Sequence, residues 1–267
     1  MLYADLHTST PDVIVCLDGN MHHRQYASVV GDLVLHPDKF SIFVPDSILE
    51  GSRQHVLDCR KGSSISSSYR QSSRTPPGAV DTCAASHRAA TEWQDAGNAD
   101  DTYRSKGLMA CACRHDIPLF LCDIQTPGEQ QHFAIVLIGV LFQHLPPSAT
   151  VGCLYNIGCV LDHSILKVHY LILASDSSSN SWQHNFIPEL APRLTLAVVL
   201  FHSYAHQFTC QLVFNPLKHE GFGMSNGEGN ERIWSQSTDV IAPERIMMVC
   251  HCLLFLGSTL NTKYLGI

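Results

Sequence analysis

The sequence has few charged residues and no excess of basic ones. Asp, Glu, Lys and Arg together make up 15% of its 267 residues, and the formal net charge is −7. Soluble domains usually carry about 25% charged residues. We therefore expect either a surface that meets a partner or a sequence that drifts without selection for solubility. DNA-binding domains usually show a basic footprint, so charge alone does not indicate DNA binding, although metal-binding carboxylates would add negative charge.

The sequence also has no long hydrophobic run and no regular cysteine framework. The longest apolar stretches, Phe133–Phe142 and Ile246–Leu256, are shorter than the ~18–20 residues that a membrane-spanning helix needs. The first residues include acids and have no basic region followed by an apolar one, as a signal peptide would. The 11 cysteines are odd in number and irregularly spaced, unlike a secreted disulfide framework. These absences predict an intracellular, soluble protein with reduced thiols and no membrane partner.

Apolar runs alternate with turn signals along the chain, an order that predicts an α/β domain with a mixed sheet flanked by helices. A serine- and arginine-rich stretch over 62–78 predicts a flexible loop within this domain. The predicted elements are a strand at Val13–Leu17, a hairpin of Gly107–Cys113 and Ile117–Cys122, a buried helix at Gln130–Leu145, strands at Thr150–Tyr155 and Leu194–Phe201, and a helix starting at Glu231.

Three polar residues stand where a two-metal nuclease would carry its carboxylates. Asp18 follows the first strand, Asn156 follows a later one, and Glu231 opens the helix beyond the last strand. Two divalent ions need such carboxylates to converge on one point. The spacing alone is a weak signal, because an isolated Asp at a strand end is usually a turn residue.

A series of longer motifs gives a more specific signal than this spacing. They occur in one order between residues 11 and 256, and each is similar to a motif of the Kyakuja-Dileera-Zisupton (KDZ) transposases. The motifs are Cys16–Asn20, Pro77–His87, Gly107–Ala110 with Cys113–Leu119, Thr126–Gln131, Leu154–Cys159, Phe201–Gln207 with Cys210–Pro216, and Gly221–Met224 with Gly227–Ser235. On these motifs the chain resembles the catalytic core of that family, as a degenerate or truncated copy with its core over 11–256 and a divergent tail over 257–267.

The resemblance implies an RNase H-like fold and DNA transposition by a DDE mechanism. Water and then a freed 3′-hydroxyl would attack DNA phosphates with the help of Mg²⁺ or Mn²⁺. Asp18 corresponds to the first metal ligand, and Glu231 corresponds to the third, with Glu228 as the alternative. DNA is the implied partner and the nucleus the implied location, and a homo-oligomer is compatible with both.

Asn156 stands where the family pattern has its second aspartate. An asparagine offers one amide oxygen to a metal but no negative charge, so we expect a catalytically impaired protein. Asp162 would face elsewhere on a helix and is not expected to substitute. The alternative is a non-catalytic module, derived from a transposase, that binds nucleic acid or another protein.

Cysteine and histidine residues suggest a zinc site as well. Cys83 and His87, together with Cys113 and His115, could supply the four ligands of a tetrahedral ion. His202, His206 and Cys210 follow one another at intervals of four residues, which a metal could also use. The alternative for both groups is packing, since buried free cysteines are common in protein cores.

Overall fold

The computed structural model describes residues 10–29, 42–61, 74–76, 78–86, 102–165 and 190–246. Seven strands are present in these ranges: β1 (Val13–Asn20), β2 (Gln25–Tyr26), β3 (Tyr103–Ser105), β4 (Gly107–Cys113), β5 (Pro118–Ile124), β6 (Val151–Tyr155) and β7 (Leu194–Ala197). The α-helices are α1 (Asp46–Lys61), α2 (Ala79–Ser86), α3 (Gln131–Gln143), α4 (158–165), α5 (Leu200–Ser203), α6 (Phe208–Val213), α7 (Gly229–Gln236) and α8 (Ile241–Glu244).

Five of the strands form one mixed sheet in the order β5-β4-β1-β6-β7. The central strand β1 runs antiparallel to β4 and parallel to β6, and β6 runs parallel to β7. The hairpin expected from the sequence is β4–β5, which pair antiparallel. The predicted α/β class with a mixed sheet flanked by helices is therefore confirmed.

Strand β1 sends alternate side chains to two separate apolar layers, as the two-residue period of a strand requires. Val15 and Leu17 lie in the layer that contains α3, whereas Ile14 and Cys16 lie in the layer that contains Phe222 and residues of α7. Asp18 is the next residue of β1 that points to the same side as Ile14 and Cys16. Its side chain is therefore on the α7 side of the sheet.

Helix α3 is buried on nearly every face, as its uniformly apolar sequence predicts. Of its 13 residues, 11 are buried. Helix α1 packs against it from outside. The sequence interpretation missed α1, because its mixed polar composition has no continuous apolar stripe and only its packing against α3 justifies it.

The predicted strand over 194–201 is too long. Strand β7 ends at Ala197, and α5 begins at Leu200. Beyond β7 the backbone leaves the sheet, since Val198 donates to the carbonyl of Phe214 and Leu200 donates to that of Asn226. Apolar residues continue through the turn because Val198 and Val199 are buried by other elements.

The parallel strands β6 and β7 allow α4 to start very close to β7. A Cβ atom at Gly158 would lie 2.3 Å from the carbonyl oxygen of Ala197, so only glycine fits at the start of α4.

Among the described residues, no helix is long and apolar enough to cross a membrane. Residues 62–73 of the predicted loop lie outside the described ranges.

Helix α7 is fastened to the sheet by Asn230, which is fully buried. Its side-chain amide donates to the backbone carbonyls of Cys16, at 3.0 Å, and Ala110, at 3.3 Å. These bonds join α7 to the two central antiparallel strands at once. They fix the helix that carries Glu231 and Trp234.

We expect Asn230→Ala to lower the free energy of unfolding by about 1–3 kcal/mol, because two buried carbonyls lose a donor. Denaturant unfolding measures this change. Ser235→Ala on the exposed side of the same helix is the control and should change stability by less than about 0.5 kcal/mol. Equal stability of the two variants would contradict the anchoring role of Asn230.

Candidate active site

Asp18 lies within β1, and Asn156 directly follows the end of the neighbouring parallel strand β6. The predicted end of the first strand at Leu17 is wrong, because Asp18, Gly19 and Asn20 continue to pair with β4. The register pairs Leu17 with Tyr155, so the next residue on each strand lies beside the other. The Nδ2 atom of Asn156 donates to Oδ1 of Asp18 at 2.7 Å. The sequence expectation that these two positions lie together therefore corresponds to a direct contact.

The second oxygen of Asp18 is also occupied. Trp234 in α7 donates its indole N–H to Oδ2 at 2.9 Å, and Asp18 itself is buried, with 7% of its surface exposed. Burial raises the pKa of Asp18 to about 8, and the nearby charges of Glu129 and Glu231 act in the same direction. The hydrogen bonds from Trp234 and Asn156 oppose this shift in pKa.

Glu231 lies within electrostatic range of Asp18 but points toward solvent. Its side chain is 53% exposed, and one carboxylate oxygen lies 3.7 Å from Nε2 of His202. Glu228 has a different environment, because its Oε1 accepts a hydrogen bond at 3.0 Å from the backbone N–H of Phe201. That bond secures the start of α5. Of the two acids, Glu231 is the one whose charge acts on Asp18.

A further carboxylate, Glu129, was not selected from the sequence. Its side chain packs against Gly19, where a Cβ atom would lie 2.7 Å from Oε2. Burial raises the pKa of Glu129, while the Tyr155 hydroxyl and the Gly19 N–H act against that shift. Its Oε1 is enclosed and has no hydrogen-bond partner among the described residues. The available signal was an acid just before a buried helix, in the motif Thr126–Gln131.

Asp162, the next acid after Asn156, is engaged elsewhere. Its carboxylate accepts a hydrogen bond from Arg74 at 2.7 Å, and Arg74 also donates to the carbonyl of Leu196. This pair joins the chain near 74 to α4 and β7. Asp162 therefore serves a structural contact, away from the Asp18 carboxylate.

The carboxylates of Asp18, Glu129 and Glu231 are oxygen ligands of the type that Mg²⁺ prefers. Asn156 does not complete this set as it stands, because its amide points an N–H at Asp18. A divalent ion would need the oxygens of Asp18 that Asn156 and Trp234 now bind. The donor atoms thus fit a magnesium site in type, but among the described residues the carboxylates of Asp18, Glu129 and Glu231 are not gathered within 4.8 Å of one another.

The cysteines and histidines chosen from the sequence separate into two places. Cys113, the last residue of β4, and His115 lie together, with Sγ and Nδ1 3.9 Å apart. Cys83 in α2 instead lies beside Cys159, His206 and Cys210. His87 is outside the described residues. His202 contacts Glu231, so the four-residue spacing from His202 to Cys210 does not gather all three residues.

The sequence model of the Kyakuja-Dileera-Zisupton transposase family matches residues 11–263. Because this match covers nearly the whole chain, the protein belongs to the KDZ transposase family. The resemblance inferred from the ordered motifs is confirmed. No curated protein and no solved structure matches the chain.

The Asp18–Asn156 contact predicts how an acid at position 156 would behave. In neutral buffer without divalent cations, Asn156→Asp replaces the donor to Asp18 by a second carboxyl group. The pair must then either carry like charges in contact or take up a proton on folding, and both disfavour the folded state. We expect the Tm to fall by about 2–4 °C, because a loss of about 1 kcal/mol has this effect in a domain of more than 150 residues. Mn²⁺ should reverse this fall, because a ligand that binds only the folded state stabilises it.

Differential scanning fluorimetry with and without Mn²⁺ measures both effects. Asn215→Asp is the matched control, since Asn215 accepts from the Leu217 N–H through its side-chain oxygen and an aspartate keeps that bond. The control should show neither the fall nor the recovery. Equal stabilisation of the wild type and Asn156→Asp by Mn²⁺ would show that the charge at position 156 does not limit metal binding.

Proposed function

We propose that this protein is an RNase H-like transposase core that has lost most of its catalytic activity. The sheet supports this fold assignment: three antiparallel strands, β5, β4 and β1, continue into the parallel strands β6 and β7. The position of Asp18 on the central strand, beside the end of the next parallel strand, supports a metal-dependent phosphoryl-transfer site.

In such a site, each of the three acidic residues would have a separate role. Asp18 would hold a divalent ion, and Glu231, which is exposed on α7, would be a second ligand. Glu129, which packs against Gly19 on the α3 side of the sheet, would contribute negative charge and no ligand oxygen. Bound Mg²⁺ or Mn²⁺ would supply charge neutralisation at the DNA phosphate. The residues contribute fixed positions and negative charge.

The observation that carries the impairment is the hydrogen bond from Asn156 to Asp18. A second aspartate at position 156 would repel Asp18 and would hold both carboxylates ready for a cation. Asparagine instead satisfies Asp18 internally, and Trp234 satisfies its other oxygen. The hydrogen bonds from Asn156 and Trp234 therefore replace part of the stabilisation that a bound cation would give to the Asp18 carboxylate.

Restoring the carboxylate tests this proposal directly. With Mn²⁺ and supercoiled DNA, we expect slow nicking by the wild type and nicking by Asn156→Asp that is at least about 10²-fold faster, because a lost electrostatic group costs this much in other enzymes. Conversion to open-circular DNA, followed on gels, gives the rate. The control is the double variant Asn156→Asp with Asp18→Asn, which should be inactive.

Two outcomes would contradict this proposal. Nicking by the wild type at the rate of Asn156→Asp would show that the asparagine does not impair catalysis. No nicking by either protein, with the folds intact, would place the loss of activity outside position 156.

The same family relationship supports DNA as the partner and the nucleus as the place of action. We propose both for this chain on that ground. Assembly into a homo-oligomer is a further proposal from the family relationship.

An exposed aromatic surface on α5 and α6 favours the second candidate function, a non-catalytic module that binds nucleic acid. Phe201, Tyr204 and Phe208 are 73%, 74% and 72% exposed. Exposed aromatic rings provide stacking surfaces for unpaired bases. The same turn also places His202 beside Glu231, so this surface adjoins the carboxylates.

We expect the Phe201→Ala and Tyr204→Ala double variant to bind a labelled single-stranded oligonucleotide at least about 10-fold more weakly than the wild type, since stacking contributes about 1–3 kcal/mol per base. Fluorescence anisotropy at fixed salt measures the Kd. Ile48→Ala, an exposed apolar residue on α1, is the control. Unchanged binding by the double variant would remove nucleic acid as the ligand of this surface and leave a protein partner.

A further inference from the structure

Four metal-ligating side chains from separate parts of the sequence meet in the core. They are Cys83 in α2, Cys159 in α4, His206 between α5 and α6, and Cys210 in α6. Each is buried, and one ligand atom from each lies within 4.8 Å of all the others. The sulfurs of Cys83 and Cys210 are 3.4 Å apart, and Cys159 Sγ lies 3.3 Å from His206 Nδ1.

These distances match the size of a zinc coordination sphere. With Zn–S bonds of about 2.3 Å, the ligand atoms of a tetrahedral site are roughly 3.8 Å apart. A disulfide needs about 2.05 Å between sulfurs, so Cys83 and Cys210 are not bonded to each other at 3.4 Å. Three thiols and one imidazole form a ligand set that structural zinc sites use.

We propose that Cys83, Cys159, His206 and Cys210 bind a structural zinc ion that fixes the end of β6 at residue 156. Four protein ligands leave no open position, so the ion has a structural and not a catalytic role. The proposal does not depend on DNA cleavage, because the zinc ligands are all distinct from Asp18, Glu129 and Glu231.

The link to residue 156 runs through His206. Its Nδ1 faces the sulfur of Cys159, and its Nε2 donates to the backbone carbonyl of Asn156 at 2.8 Å. A histidine that binds zinc through one nitrogen usually donates its other N–H to such a carbonyl, which fixes the ring. Cys159 lies only three residues beyond Asn156. The ion would therefore hold this segment by both a ligand and a hydrogen bond.

A second contact supports a metal-bound thiolate at Cys83. The backbone N–H of Gln207 lies 3.5 Å from Cys83 Sγ and donates to it. Since Gln207 follows His206 directly, the α5–α6 turn contributes a ligand and a donor to the same site. Helix α2 is thereby joined to a part of the chain more than a hundred residues away.

Metal content after purification from zinc-supplemented medium tests the site. We expect about one zinc per chain in the wild type and loss of that zinc in Cys159→Ala. Cys153→Ala is the matched control, because Cys153 is a fully buried free cysteine of β6 outside the cluster. It should keep its zinc. Wild-type protein without zinc, or zinc retained by Cys159→Ala, would overturn the proposal.

If Cys159→Ala does not fold, cobalt provides the second measurement on the wild type. Zinc removed by a chelator and replaced by Co²⁺ should give thiolate-to-cobalt charge-transfer absorption and the visible bands of tetrahedral Co²⁺. Absence of these bands would overturn the site. So would a Cys83–Cys210 disulfide found by mass spectrometry in protein purified under reducing conditions.

The positioning role is tested by His206→Cys, which offers four ligands but lacks the N–H that reaches Asn156. We expect zinc to be retained and backbone hydrogen exchange over 151–160 to become at least about 10-fold faster, because loss of one hydrogen bond of about 1.4 kcal/mol changes a local opening equilibrium tenfold. Exchange in α3 should not change. Retained zinc with unchanged exchange over 151–160 would refute the positioning role.

Discussion

The buried carboxylate of Asp18 is the constraint on which the site depends. A charge with 7% of its surface exposed must be paired, hydrogen-bonded or neutralised. Trp234 and Asn156 provide the hydrogen bonds, one from each side. The position of α7, held by Asn230, and the register of β1 with β6 together bring these donors to one carboxylate.

Residue 156 is held from two sides of the sheet. Its side chain reaches Asp18 on the layer that α7 covers, and its backbone carbonyl reaches His206 on the layer that contains α3 and the cysteine cluster. The end of β6 therefore joins the carboxylate site to the proposed zinc site. Contacts from both layers thus meet at the same residue.

Local patterns predicted the parts of the fold that local forces determine. The hairpin β4–β5, the buried helix α3 and the strands β1 and β6 have continuous apolar runs bounded by turns, and the structure contains all of them. Helix α1 lacked such a pattern. The strand assigned to 194–201 was too long because buried turn residues resemble strand residues in sequence.

The candidate site was only partly predictable for a related reason. Asp18 and Asn156 could be paired because both end predicted strands. Glu129 and Cys159 come into place through contacts between distant segments, which no spacing in the sequence records. The grouping of Cys83 with His206 and Cys210, across more than a hundred residues, likewise depends on the packing of α2 against α6.

The amide at position 156 also changes what the folded state requires. Clustered carboxylates in an active site repel one another, and proteins keep such arrangements at a cost in stability because function demands them. Asn156 relieves that repulsion with a hydrogen bond to Asp18. With asparagine at position 156, the folded state therefore does not need a bound cation to separate two like charges at the end of β6.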